Sequence, residues 1–204
     1  TNAWDSAAAV LTSVDVDHVA QLGPDPVGIA ADKLHIARPG RPLFTTARQR
    51  PEVMARIRQE AAARSLQLFV AGVEDIETPG GRRQPYCCRV DGEGRPATYL
   101  ENARVALAAA AWLQPDLRAA SAAATTRQHR WPGRFERARQ QPPIVLDGAH
   151  NPAAAKRLAS DLRALAPGWT LVLGVGQGHD PAGILAALQP VAARVVLTSS
   201  GHPK

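Results

Sequence analysis

The chain has 204 residues, 45% hydrophobic and 21% charged, with a formal net charge of +6: enough for one large or two small domains of ordinary globular composition. No apolar run approaches the roughly 18 residues of a membrane span, and no basic segment followed by an apolar one opens the sequence, so we expect a cytoplasmic protein without a membrane partner. Cys87 and Cys88 are adjacent. Neighbouring cysteines rarely bridge, which fits a reducing compartment. The basic charge is 21 Arg against 3 Lys (Lys33, Lys156 and Lys204), and 39 residues are Ala, a skew that reads as coding bias. A nucleic-acid face gathers its charge, and a single-strand binder interleaves it with aromatics. Here the arginines are spread along the chain and aromatics are 4%, so we expect a solvated basic surface or a site for a small phosphate ligand, and no nucleic acid.

The pattern alternates short apolar runs with helical stretches. In chain order it predicts a strand over 8–14, a helix over 26–37 ended by Arg38-Pro39-Gly40, a strand over 42–46, a helix over 52–63 opened by Pro51, and a strand over 66–70. Loops follow around a strand over 86–90, then Ala-rich helices over 100–113 and 115–124. Residues 125–143, rich in Arg, Gln and Pro, read as a break between two halves. Alternation resumes with strands over 144–146, 169–175 and 194–198 and helices over 152–165 and 181–188. Strand–helix alternation at this spacing implies βαβ units and parallel sheets.

Ligands of parallel sheets bind where strands end and loops lead into helices. Three such loops stand out. Asp15-Val16-Asp17-His18 offers hard-cation ligands, although a polar turn explains it as well. Leu146-Asp147-Gly148-Ala149-His150-Asn151-Pro152 ends a strand at Asp147, turns at Gly148, and starts a helix with Asn151 as N-cap and Pro152 in its first turn. The free N–H groups of that helix favour a phosphate, and Asp147 can accept ribose hydroxyls. The loop 174–181 has G-x-G-x-G spacing rather than G-x-G-x-x-G and reads as a structural turn capped by Asp180. No G-x-S-x-G elbow is present, and the six histidines show no paired zinc spacing. Lys33 stands out as a lysine in a chain that otherwise uses arginine, which hints that an amine is needed there.

Five blocks in order resemble the Mur-type amide ligases, most of all the folylpolyglutamate synthase/dihydrofolate synthase branch. Thr1-Asn2 resembles the end of G-R-L-D-A-T-N. LTSVDVDHVAQLGPDPVGIAADKLHIARPG, from Leu11 to Gly40, resembles the T-x-I-x-L-D-H-x-x-x-L-G…I-A-x-E-K-A-G-I block. LENARVALAAA from Leu100 resembles the Q-x-x-N-A helix, WPGRFE from Trp131 resembles L-P-G-R-F/L-E, and VLDGAHNPAAAKRLASDL from Val145 resembles the D-G-A-H-N-P block. The resemblance implies an α/β fold: a partial parallel-sheet central ATPase domain over 1–128, a hinge over 129–142 and a partial Rossmann-like ligase domain over 143–204. It also implies an ATP-dependent ligase that adds L-glutamate to folate or dihydropteroate through an acyl phosphate, with ATP and Mg²⁺ as cofactors and a monomeric full-length form. His18 would bind the second Mg²⁺, and Lys33 would be carbamylated beside it. Asn102 would contact adenine, Arg134 the ATP phosphates and Asp147 the ribose, while His150 would lie at the nucleotide and reaction centre.

The sequence also departs from that family. It contains no G-T-N-G-K-G-S loop, Asp32 replaces a Glu beside Lys33, the G-x-H-Q before Asn102 is missing, and D-K-D reads His179-Asp180-Pro181. We therefore expect a fragment that does not catalyse alone. The alternatives are another Mur-type ligase, of the cell-wall or cyanophycin kind, or a degenerate nucleotide-binding module.

Overall fold

The computed structural model describes residues 4–15, 23, 25–86, 90, 95–176 and 178–199. The chain divides into two compact units, Thr1–His129 and Arg130–Lys204.

The first unit is built on a five-stranded sheet in the order β1-β2-β3-β4-β5, comprising β1 (Ala9–Leu11), β2 (Pro42–Thr46), β3 (Gln67–Ala71), β4 (Asp75–Glu77) and β5 (Arg83–Pro85). β1, β2 and β3 are parallel, with Ala9 opposite Leu43 and Leu43 opposite Leu68. β4 and β5 run antiparallel. All five residues of β2 are buried, as a central strand covered on both faces requires.

The pleat sends successive β2 side chains to opposite faces. Leu43 joins Ile29, Ala30 and Leu34 from α1 (Pro26–Lys33) and the turn after it, and Val53, Ile57 and Ala61 from α2 (Pro51–Ala63). The spacing of four along α2 aligns one apolar stripe. Phe44 packs with Ala71 and with Val105, Ala108 and Ala109 of α3 (Ala97–Leu113). It stacks on Phe69 at 4.7 Å and meets Trp112 edge-on at 6.4 Å. α4 (Ala119–Gln128) buries only Ala122, against Leu107 and Val90.

The second unit holds the hairpin β6 (Glu136–Gln140)–β7 (Pro143–Leu146), α5 (Pro152–Leu165), the parallel pair β8 (Trp169–Leu173) and β9 (Ala192–Leu197), and α6 (Pro181–Leu188). Ala155, Ala159 and Leu162 line the buried stripe of α5 and pack with Ile184 and Leu188 of α6, against Val145, Trp169, Leu171 and Leu173. The Trp169 indole donates to the carbonyls of Leu162 and Ala166 at 3.1 and 2.9 Å, sharing the first with the Ala166 N–H and tying β8 to the end of α5.

The differences from the sequence-based elements have local causes. The helix expected over 26–37 stops at Lys33 and tightens into a 3-10 turn, Leu34–Ile36. Arg64 donates to the carbonyls of Leu34 and Ala37, and Gly40 turns the chain at φ +74°. β4 and β5 have no apolar alternation and were not expected. They form through antiparallel pairing at the sheet edge, so the first sheet is mixed rather than wholly parallel. Tyr86, placed in a strand by the sequence reading, lies just beyond β5, and its hydroxyl donates to the Gly72 carbonyl at 3.0 Å. The stretch read as a linker contains β6, which pairs with β7 despite its polar sequence ERARQ. A partner strand supplies the backbone acceptors and donors that side chains do not.

Two arginine–carboxylate pairs brace the sheet edge. Arg58 on α2 grips Glu77 on β4 with both terminal nitrogens, at 2.7 and 3.0 Å, and Arg83 on β5 lies 3.3 Å from Asp75. The Arg58 hydrogen bonds hold Glu77 below the usual glutamate range, against the opposing effect of burial. A lowered carboxyl pKa stabilises the fold above the ordinary Glu range, and that contribution fades as pH falls through the lowered value. Arg58 is about half exposed and screened by solvent, so Arg58→Met is expected to cost only about 0.5 kcal/mol at pH 7, with the difference vanishing in acid. Urea unfolding at pH 7 and pH 3 checks this. Burial pushes the Tyr86 phenol up to about 12, so an ultraviolet titration should show one tyrosine ionising near that pH. The protein should lose stability as pH rises from the ordinary tyrosine value toward it.

Candidate functional site

In the first unit, the candidate region is the carboxyl end of β1. Four hydrogen bonds close it. The Gln49 amide, buried just before α2, donates to the Thr12 carbonyl and to Thr45 Oγ1, both at 2.9 Å, and its oxygen accepts the Val14 N–H at 2.9 Å. Thr45 Oγ1 donates in turn to the Leu11 carbonyl at 2.8 Å. The chain leaving β1 is thus tied to β2 through side chains where strand pairing has ended. Asp15 follows, its carboxylate 2.8 Å from Arg50 Nη2. Asp17 and His18 lie outside the described residues.

Lys33 is half-buried in the last turn of α1. That helix starts on the Asp25 N-cap, whose oxygens accept the N–H groups of Val27 and Gly28 at 3.0 and 2.9 Å. Asn102 is exposed in α3. α1 and α3, which carry Lys33 and Asn102, pack on opposite faces of the sheet. Beside Asn102, Glu101 is buried, and its Oε1 has no hydrogen-bond partner. Arg95 lies 4.5 Å over the Tyr99 ring and donates to the carbonyls of Arg127 and His129, pinning the start of α3 to the end of α4.

In the second unit, the loop after β7 and the turn before β6 form one structure. Asp147 Oδ2 accepts the Phe135 N–H at 2.7 Å, and Oδ1 accepts the Ala149 N–H at 2.8 Å. Gly148 N–H donates to the Gly133 carbonyl at 2.8 Å, and Gly133 N–H donates to the Glu136 carboxylate at 2.8 Å. Gly133 (φ +67°) and Phe135 (φ +45°) both take left-handed backbone conformations, an uncommon one for Phe. The Arg134 guanidinium covers Gly148, where an added Cβ would lie 3.6 Å from its Nη1. His150 Nδ1 sits 3.0 Å from the Gly148 carbonyl. Asn151 caps α5 by accepting the Ala154 N–H at 2.8 Å.

The fold therefore gathers Arg134, Asp147 and His150 around one exposed strand end opening onto the amino terminus of α5. Such a place suits an anion whose neighbouring hydroxyls can be held by a carboxylate. Metal binding finds no comparable support: among the described residues, no group of three His, Cys, Asp or Glu is arranged to hold an ion.

Gln49 and Glu136 were missed by sequence reading as holding groups. Gln49 carries no local signal, because its partners lie in β1 and β2. Glu136 was legible only as part of the PGRFE block. His179 was read as part of a structural turn, and its ring centroid lies 5.1 Å from that of His150.

These features define a class. Residues 133–204 match the family model for the Mur ligase, glutamate ligase domain, and the chain belongs to the Mur ligase superfamily. Within it, the chain falls with the dihydrofolate synthase/folylpolyglutamate synthases. It is 36% identical over 240 residues to the dihydrofolate synthase/folylpolyglutamate synthase of Mycobacterium tuberculosis, covering 100% of this chain and 47% of that protein. The structure of M. tuberculosis folylpolyglutamate synthase complexed with ADP and AMPPCP matches at a TM-score of 0.80 and 29% identity, over 99% of this chain and 50% of that one. Escherichia coli FolC in complex with DHPP and ADP matches at a TM-score of 0.71 and 28% identity, over 94% and 47%. The chain spans about half the length of the curated relatives it matches. No helix among the described residues is long and apolar enough to cross a membrane.

Gln49→Leu keeps the volume but leaves the buried Val14 N–H and Thr12 carbonyl unsatisfied. The expected loss is about 1–3 kcal/mol. It should appear in urea unfolding and as faster amide exchange at Val14, with the second unit unaffected.

Proposed function

We propose that this chain is part of an ATP-dependent ligase that joins L-glutamate to a carboxylate of folate or dihydropteroate. The observation that carries the reading is the Asp147 clamp, which fixes a carboxylate, the Arg134 guanidinium and the amino terminus of α5 at one strand end. Each Asp147 oxygen accepts one backbone N–H and keeps acceptor capacity for a ribose hydroxyl. Arg134 and the positive amino-terminal end of the α5 dipole face the phosphates. His150 lies beside them, at the reaction centre. In the first unit Asn102 contacts the adenine. His18 and a carbamylated Lys33 belong to the reading as holders of Mg²⁺. Bound there, the ion would offset negative charge on the phosphate oxygens.

The reaction runs in two displacements. A carboxylate oxygen of the pterin-bearing acid attacks the γ-phosphorus of ATP, the bond to the β–γ bridging oxygen breaks, and ADP leaves with an acyl phosphate formed. The glutamate amine, having lost a proton, then attacks the acyl carbon. The carbon–oxygen bond to phosphate breaks, giving the amide and inorganic phosphate. The protein's part is positioning and charge neutralisation, because several anionic oxygens must be brought together. No G-T-N-G-K-G-S loop occurs in the 204 residues, and the reading has this chain bind nucleotide without turning it over on its own.

Calorimetric titration of the 204-residue chain with ADP and with ATP tests the proposal. Saturable sub-millimolar binding is expected, weakened about tenfold, or about 1.4 kcal/mol, by Asp147→Ala. Arg134→Met should weaken ATP more than adenosine. Binding that is indifferent to Asp147 would overturn the assignment of the ribose site. Glutamate transfer by the isolated chain would overturn the expectation that it does not turn over alone.

A further inference from the structure

We propose that the concavity between the β6–β7 hairpin and the end of α5 is a binding site for a chain of carboxylates, in particular for amide-linked glutamate units. The cavity measures about 290 Å³, and its lining includes Arg137, Arg139, Gln140 and Gln141 together with the apolar Val145 and Leu165. Val145 stands two residues before Asp147, so the cavity begins about 7 Å along the chain from the Asp147 clamp, at about 3.4 Å per residue.

The charge of the protein is concentrated in this unit. Residues 130–204 carry nine arginines and lysines against four carboxylates, whereas residues 1–129 carry 15 against 14. Pairing differs too. Arg41, Arg50, Arg56, Arg58 and Arg83 of the first unit each hold a carboxylate at 2.7–3.3 Å. Among the described residues, neither Arg137 nor Arg139 has a carboxylate partner. Arg139 Nε donates to the Gln141 carbonyl at 2.9 Å, which holds the guanidinium at the hairpin turn while its terminal nitrogens keep their donors. Two guanidinium groups bordering one cavity without a counter-ion repel each other, and an anion there relieves that repulsion. The opposing groups are already engaged. The Glu136 carboxylate accepts the Gly133 N–H, and Arg163 in the last turn of α5 offsets the negative end of that helix dipole.

The remaining lining groups choose among anions. A phosphate would use the guanidinium groups alone. A glutamate chain brings carboxylates for Arg137 and Arg139, amides that pair with the Gln140 and Gln141 carboxamides, and methylene groups that cover Val145 and Leu165. This choice of ligand rests on the ligase reading: joining glutamate to a carboxylate gives a product that again ends in carboxylates, to which a further glutamate can be joined.

Calorimetric titration of the 204-residue chain with γ-linked tetraglutamate tests the proposal. Saturable binding that weakens with added salt is expected. Arg137→Gln and Arg139→Gln should each weaken it about fivefold or more, while Lys156→Gln, the same change of charge at an exposed position of α5, should leave it within about twofold. In the parent chain the side-chain amide signals of Gln140 and Gln141 should shift in NMR spectra as tetraglutamate is added, a readout that needs no variant. Asp147→Ala should weaken ADP and leave tetraglutamate affinity unchanged, so failure of this site and failure of the ligase reading are distinguishable. Absence of saturable binding, binding retained in both arginine variants, an equal loss in Lys156→Gln, or displacement by inorganic phosphate at matched ionic strength would overturn the proposal.

Discussion

A single carboxylate organises the second unit. Asp147 ends β7 and accepts one N–H from its own loop, that of Ala149, and one from the turn before β6, that of Phe135. The second bond holds Phe135 in a left-handed conformation that costs about 1–2 kcal/mol for a residue with a side chain. Hydrogen bonds to a charged acceptor are strong enough to offset it. With Phe135 so placed, Arg134 is carried over Gly148, whose N–H donates to the Gly133 carbonyl at 2.8 Å. The position of His150, the capping of α5 and the encounter with His179 all follow from where that loop is held.

The first unit solves the same problem with different atoms. A strand stops, its last donors and acceptors need partners, and a side chain supplies them. There the group is the neutral Gln49 amide, which both donates and accepts, and the closure is buried. In the second unit the group is charged and exposed. The contrast bears on function. A buried neutral closure holds a loop, whereas an exposed carboxylate with unused lone pairs is also available to a ligand.

How far the sequence could be read follows from how local each signal is. The helices 51–63, 152–165 and 181–188 were legible to within a residue because prolines and caps lie at their ends and apolar spacing runs through them. Strands of the parallel core were legible as apolar runs. β5 and β6, with the sequences RQP and ERARQ, carry no such pattern and exist because a partner strand offers its edge. Asp147, Arg134 and His150 were singled out through their ordered motifs, and the fold bonds two of those motifs together: the Phe135 N–H of WPGRFE donates to the Asp147 carboxylate of DGAHNP.

By itself the sequence determined the α/β alternation, the capping of α5 and α6 by Asn151 and Asp180, and the family to which the chain belongs. These are properties of neighbouring residues or of ordered blocks, and chain order preserves both. Only the tertiary structure decided that the first sheet is mixed, that Gln49 closes the end of β1, that Glu101 is buried with an oxygen left unpartnered, and that His179 lies against His150. The mixed sheet depends on short antiparallel pairings that carry no apolar pattern, and the other three depend on atoms about thirty or more residues apart or on which side of a helix meets the core. Hydrogen bonding and close packing fix such relations in space, and no local pattern of residues encodes them.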